Sequence, residues 1–165
     1  MESNFTSEAV IIAAGEGSRI IKNFLHISHK CLLPIEGKKL IEIITDNFAK
    51  HGIKTVHLVT GFEGKLLQEQ VKELNLKVKI NFVPNRSWKA GNGTSVLAGA
   101  KKVKSESFIL SMADHWFSDG IVKKLNDKDL AFPNFLAVDE KLEAINDIYD
   151  ATKVELGREN KILEI

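Results

Sequence analysis

The chain has 165 residues, 44% of them hydrophobic and 27% charged, a balance and a length that suit one globular domain with a real core. Lys and Arg number 23 against 22 Asp and Glu, so the net charge of +1 excludes the strong basic excess of a general nucleic-acid binder. No apolar run approaches the ~20 residues needed to cross a bilayer. The opening "MESNFTSEA" lacks the basic start and apolar middle of a signal peptide, and the single cysteine, Cys31, rules out an internal disulfide. A soluble, cytoplasmic protein is expected, with Cys31 as a small core hydrophobe.

The pattern alternates strand and helix. "SEAVIIAAG" is a continuous apolar run ending in glycine, as a parallel strand covered on both faces requires. In "KKLIEIITDNFAKHG", Leu40, Ile41, Ile44 and Phe48 recur at helical spacing and Gly52 offers a stop. "KTVHLVTG" is a second strand and "GKLLQEQVKELNL" a second amphipathic helix. "VKINFVPN" is a third strand, "TSVLAGAKKV" a third helix starting near Thr94 or Ser95, "ESFILSMAD" a fourth strand, and "SDGIVKKLND" a short helix. "DLAFPNFLAVDE" looks extended and is broken by Pro133, while "ATKVELGRENKILEI" alternates around "GREN" as a hairpin does. The sum is an α/β fold: a three-layer α/β/α sandwich with a Rossmann-like, mostly parallel sheet and a late antiparallel hairpin, in a single domain over 1–165.

Ligands of such sheets bind beyond the carboxyl ends of the strands. "AAGEGSR", "VTGF", "VPNRSWKAGNG" and "MADHW" fall there, so these loops are expected to converge on one edge. The glycine loop is not a dinucleotide fingerprint, because Ile20 stands where G-x-G-x-x-G needs its third glycine. Nor is there a triphosphate-hydrolase loop: Gly64-Lys65 is followed by Leu66, and the position five before Gly64 is Val59. What remains is Ala13-Ala14-Gly15-Glu16-Gly17-Ser18, rich in backbone N–H donors and able to wrap an anion, followed by a fixed charge at Arg19 and a second cation at Lys30. No Ser/His/Asp triad is evident.

"AAGEGSR", with the lysine of "KCLLPIEGK" downstream, resembles the opening of the sugar-phosphate nucleotidyltransferases, although His29 stands where that family usually has proline. "NRSWKAGNGTSVLAGA", "FILSMADHWFS" and "DATKV" resemble the CTP:inositol-1-phosphate cytidylyltransferases in the same order. The resemblance implies magnesium-dependent attack by a phosphate monoester on the α-phosphorus of CTP, giving CDP-inositol, a precursor in phospholipid biosynthesis, and pyrophosphate. By the same resemblance, Arg19 and Lys30 would hold the triphosphate, and Asp114 would be the magnesium ligand. Gly91, Asn92 and Gly93 would lie against the cytosine, with Thr94 and Ser95 offering hydroxyls to base or ribose. Lys153 would face the acceptor phosphate, and His115 would support Asp114, pack or meet solvent.

Members of that superfamily usually run longer and supply a second metal-binding acid near the C-terminus. Here Asp147 and Asp150 are nearby acids without an assigned role, so a fragment or a shortened member with weak activity is one expectation. Relatives can be fused to a membrane-embedded transferase that uses the CDP-alcohol. The alternatives are a transferase of the same fold with another base or acceptor, and a non-catalytic nucleotide-binding remnant.

Overall fold

The computed structural model describes residues 6–17, 27–126, 134–141, 149 and 151–165. They divide into two compact units, Met1–Leu130 and Ala131–Ile165.

The first unit is built on four parallel strands in the order β5-β4-β1-β6: β1 (Glu8–Ala13), β4 (Thr55–Thr60), β5 (Lys79–Pro84) and β6 (Ile109–Met112). β1 is central and buried at all six positions, which is why its sequence is apolar without alternation. Its side chains divide between two cores. Ile11 joins Val56 and Leu58 of β4 in one core, with Ile41, Ile44 and Phe48 of α1 (Leu40–Lys50). The same core takes Leu67 and Val71 of α2 (Gly64–Lys72) and Val122 of α4 (Asp119–Asn126). Each such side chain contributes ~1.5–3 kcal/mol on burial. Val10, Val59 and Val83 face the other way, against Ala98 of α3 (Asn92–Ala100). Helices therefore cover both faces, giving the three layers expected. α3 lies very close to the sheet, because a Cβ at Gly99 would come within 2.4 Å of Val10 Cγ1.

Local chemistry explains the element ends. α1 stops at Gly52, whose φ of 87° few other residues adopt, with its N–H on the Ala49 carbonyl. A small hairpin the sequence reading left unassigned, β2 (Pro34–Ile35) with β3 (Lys38–Lys39), turns through Glu36 and Gly37, both at positive φ. It delivers the chain into α1, where the Lys39 N–H bonds Glu42.

The second unit contains the antiparallel pair β7 (Glu155–Leu156) and β8 (Ile162–Glu164), joined through Gly157 and a 3-10 turn at Arg158–Asn160. "GREN" is thus the turn that the alternation predicted. Residues 134–141 carry no regular element, and Pro133 lies outside the described residues.

No helix among the described residues is long and apolar enough to cross a membrane.

Candidate functional site

β1 and β6 are neighbours, but the next strand of this sheet after β1 is β4, on its other side. The order of strands reverses at this point, and the crevice beyond the carboxyl ends of β1 and β6 is where such a sheet leaves room for a ligand. A cleft opens there, bordered by Ala13, Gly15, Gly17, Lys30, Asn92 and Asp114. Residues from four separate stretches of sequence meet on one edge.

Asp114 follows β6, and the Ala113 N–H still bonds the Ile12 carbonyl of β1, so the turn that presents Asp114 is anchored to the central strand. Lys30 opens a 3-10 turn, Lys30–Leu32, whose Cys31 and Leu32 are buried. The turn roots the lysine in the core and leaves its head at the cleft. Lys30 Nζ donates to Asp114 Oδ2 at 2.9 Å across 84 residues of sequence. His115 Nδ1–H donates to Asp114 Oδ1, also at 2.9 Å, while its ring stays largely exposed. The His115 hydrogen bond, and then that of Lys30, hold the Asp114 carboxyl well below the usual carboxylate range despite partial burial. The same contact raises the pKa of His115.

The glycines fall into two kinds. A Cβ built on Gly15 or Gly93 would meet nothing within 4 Å, and neither has the left-handed backbone that favours glycine. Among the described residues, neither packing nor backbone conformation calls for glycine at these two positions. Gly91 differs: it precedes α3 with φ 103°. The sequence placed the start of α3 at Thr94 or Ser95, but Asn92 and Gly93 already form its first turn.

The two hydroxyls that the resemblance aimed at the base or ribose are engaged within the chain. Thr94 Oγ1 bonds the carbonyls of Gly91 and Ser87 and accepts from Asn85 Nδ2. Ser95 is 2% exposed, and its Oγ accepts from Asn85 Nδ2 at 3.0 Å. Asn85, buried just after β5, also accepts from the Ser87 N–H. It ties Ser87 to Thr94 and Ser95 in the first turns of α3, and sequence reading gave it no role. Its position directly after an apolar strand and before a glycine-rich loop was the available signal.

Ala14 is buried and Glu16 exposed. Ser18, Arg19, Asp147 and Asp150 lie outside the described residues. Lys153 belongs to the second unit, precedes β7 rather than lying on it, and donates to the Ala151 and Tyr149 carbonyls. Cys31 is 1% exposed, and burial pushes its thiol pKa up to about 12. It packs and does not react.

Among the described residues, no three His, Cys, Asp or Glu side chains gather into a metal cage. Asp114 offers one hard carboxylate at the cleft, a donor set that suits magnesium when phosphate oxygens supply further ligands.

Residues 9–131 match the family described as the MobA-like NTP transferase domain. The chain is 29% identical over 124 residues to D-glycero-alpha-D-manno-heptose 1-phosphate guanylyltransferase of Campylobacter jejuni subsp. jejuni, covering 74% of this chain and 55% of that protein. It is 30% identical over 98 residues to the bifunctional protein GlmU of Clostridium botulinum, covering 59% of this chain and 20% of that one. Among solved structures, inositol-1-phosphate CTP transferase from T. maritima superposes with a TM-score of 0.65 at 27% identity, covering 75% of this chain and 50% of the other. The chain therefore spans about half the length of the guanylyltransferase and the CTP transferase, and a fifth of GlmU.

Proposed function

Because the chain belongs to the MobA-like NTP transferase domain family, we propose that it condenses CTP with inositol 1-phosphate to CDP-inositol and pyrophosphate. The observation that carries this reading is the meeting of Lys30 and Asp114 at the strand-order reversal, in a cleft also bordered by Gly15 and Gly17. The likeness to the inositol-1-phosphate CTP transferase supports the choice of substrates.

In this reaction an oxygen of the acceptor phosphate bonds to the α-phosphorus as the bond from that phosphorus to the oxygen bridging to the β-phosphate breaks. The electron pair leaves with pyrophosphate. The acceptor is already anionic, so no protein nucleophile is needed. The protein has to bring two anions together and neutralise the charge that develops between them. Lys30, which borders the cleft, and Arg19 are assigned that task on the strength of the "AAGEGSR" and "KCLLPIEGK" resemblance. Asp114 would hold magnesium, which supplies charge neutralisation on the phosphates when bound. Lys153 is assigned to the acceptor phosphate on the strength of the "DATKV" resemblance.

Lys30 and Asp114 satisfy one another at the cleft. Gly15, Gly17 and the loop between them turn backbone towards the triphosphate, while Gly91, Asn92 and Gly93 are assigned to the base. Thr94 and Ser95 act there indirectly, by holding the Asn92 turn through Asn85.

The identity with the heptose 1-phosphate guanylyltransferase favours a second reading, guanylyl transfer to a sugar 1-phosphate at the same site. Pyrophosphate release measured with magnesium, each nucleoside triphosphate and a panel of phosphate monoesters separates the two. CTP with inositol 1-phosphate is expected to give the highest kcat/KM. A preference for GTP with a sugar 1-phosphate selects the second reading. Tight nucleotide binding without release from any pair marks a nucleotide-binding remnant and overturns both.

A further inference from the structure

The loop after β4, Gly61 and Phe62, reaches the ligand-binding edge but has no task in the reaction above. It touches three of the loops that do. The Phe62 N–H donates to the Ala14 carbonyl at 3.0 Å, at the root of the glycine loop. The Phe62 carbonyl accepts from His29 Nε2–H at 2.9 Å, one residue before Lys30. The Phe62 ring meets Trp88 edge-on, centroids 5.9 Å apart, in the turn that leads to Gly91. Gly61 permits this crowding: a Cβ there would lie 2.6 Å from the Ala14 carbonyl oxygen and 2.7 Å from Trp88 Cβ.

His29 is 3% exposed although it belongs to a loop. Its second ring nitrogen lies 3.0 Å from Ser28 Oγ, whose hydroxyl donates to Gln70 of α2 at 2.6 Å. A buried ring whose Nε2–H is bonded to the Phe62 carbonyl fixes the backbone that carries it. That backbone is the approach to Lys30.

We propose that the Gly61–Phe62 peptide is a clamp that sets the spacing of the glycine loop, the lysine loop and the Gly91 loop, and that His29 is the positioning residue tying Lys30 to it. The clamp's effect on turnover rests on the nucleotidyltransferase reading; its effect on the free protein does not. Displacing a charged group by about 1 Å from a reacting centre costs about a hundredfold in rate. A clamp that fails should therefore show in kcat more than in KM.

The test has two arms on the full chain, with His29→Ala, His29→Gln and Gly61→Ala. The first is amide hydrogen exchange without ligand. His29→Ala is expected to speed exchange at Leu32 and Leu33 about tenfold, with β1 and β4 amides unchanged. His29→Gln, which can still donate to the Phe62 carbonyl, is expected to restore protection. Unchanged exchange in His29→Ala overturns the clamp. The second arm is pyrophosphate release. His29→Ala is expected to lose at least about tenfold in kcat with KM nearly constant, and His29→Gln to recover most of it. Full kcat in a less stable His29→Ala protein would make the residue merely structural and overturn the proposal. Gly61→Ala is expected to disturb both readouts more strongly, and if it does not fold the His29 pair decides. Wild-type protein that releases pyrophosphate from no pair defeats the proposed function alone, and the exchange arm still decides the clamp.

Discussion

Glu8 and Asp114 are carboxylates at opposite ends of one parallel sheet, Glu8 opening β1 and Asp114 following β6. Both are held ionised, yet their surroundings differ. Glu8 is 8% exposed and completely partnered. Its Oε2 accepts from the N–H groups of Lys104 and Ser105 and from the Ser105 hydroxyl, each at 2.7 Å. Its Oε1 accepts from His57 Nε2–H, and the other ring nitrogen of His57 accepts from Asn81. Burial alone would raise its pKa; the hydrogen bonds from Ser105, His57 and Lys104 overcome that and bring it from an ordinary 4.5 down to about 2. Asp114 has two cationic or polar partners and an open cleft in front of it. A buried carboxylate with both oxygens engaged closes a structure. One that faces a cleft and is held by two side-chain donors, one of them largely exposed, can exchange them for a ligand.

That contrast breaks most readily on activity. Asp114→Asn is expected to lower kcat/KM for the productive substrate pair about a hundredfold or more, while the thermal midpoint moves by under about 2 °C. Pyrophosphate release and a thermal melt on the same sample check it; equal losses in both would make Asp114 a structural acid like Glu8. Glu8→Ala is expected to do the reverse. It strands the donors of Lys104, Ser105 and His57, costing ~3 kcal/mol or more by urea titration, with the specific activity of the folded fraction unchanged.

Acid sharpens the same comparison. The folded pKa of Glu8 lies below its ordinary value, so its contribution is fully present above pH 4.5 and is lost as pH falls towards about 2. Wild-type stability is expected to fall across that window, and Glu8→Gln, followed by urea unfolding at each pH, to show a shallower fall. The glycines supply a smaller test. Gly99→Ala forces a Cβ to 2.4 Å from Val10 Cγ1 and is expected to cost ~1–3 kcal/mol of stability. Gly15→Ala meets nothing and is expected to leave stability unchanged while weakening nucleotide binding, measured by calorimetry. The smallest effect is at Cys31: maleimide labelling of the native protein is expected to be negligible and to appear on unfolding.

Periodicity and punctuation in the sequence carried most of the fold. The apolar run at β1 announced a central strand because burial on both faces removes any polar alternation. Gly52 marked the end of α1 because few other residues adopt its φ, and "GREN" marked the late hairpin. Part of the candidate cleft was legible as residue types: Gly15, Gly17 and Asp114 follow apolar strands, and Lys30 stands in a motif downstream of the first of them. The short β2–β3 hairpin was missed because two-residue strands are too brief to show a period. Ser95 was aimed at a ligand because a hydroxyl looks the same in sequence whether it faces a cleft or Asn85.

By itself, the sequence determined the alternating α/β order, the identities of the cations and acids at the strand ends, and the absence of either standard phosphate-loop pattern. Each of these is local, written within a few residues by side-chain period or backbone preference. Only the tertiary structure decided that Lys30 reaches Asp114 across 84 residues, that Glu8 is sealed while Asp114 stays open, and that Gly61 and Phe62 hold three loops together. Those outcomes depend on which strands lie side by side, and strand order is set by packing between distant segments whose contacts no local pattern encodes.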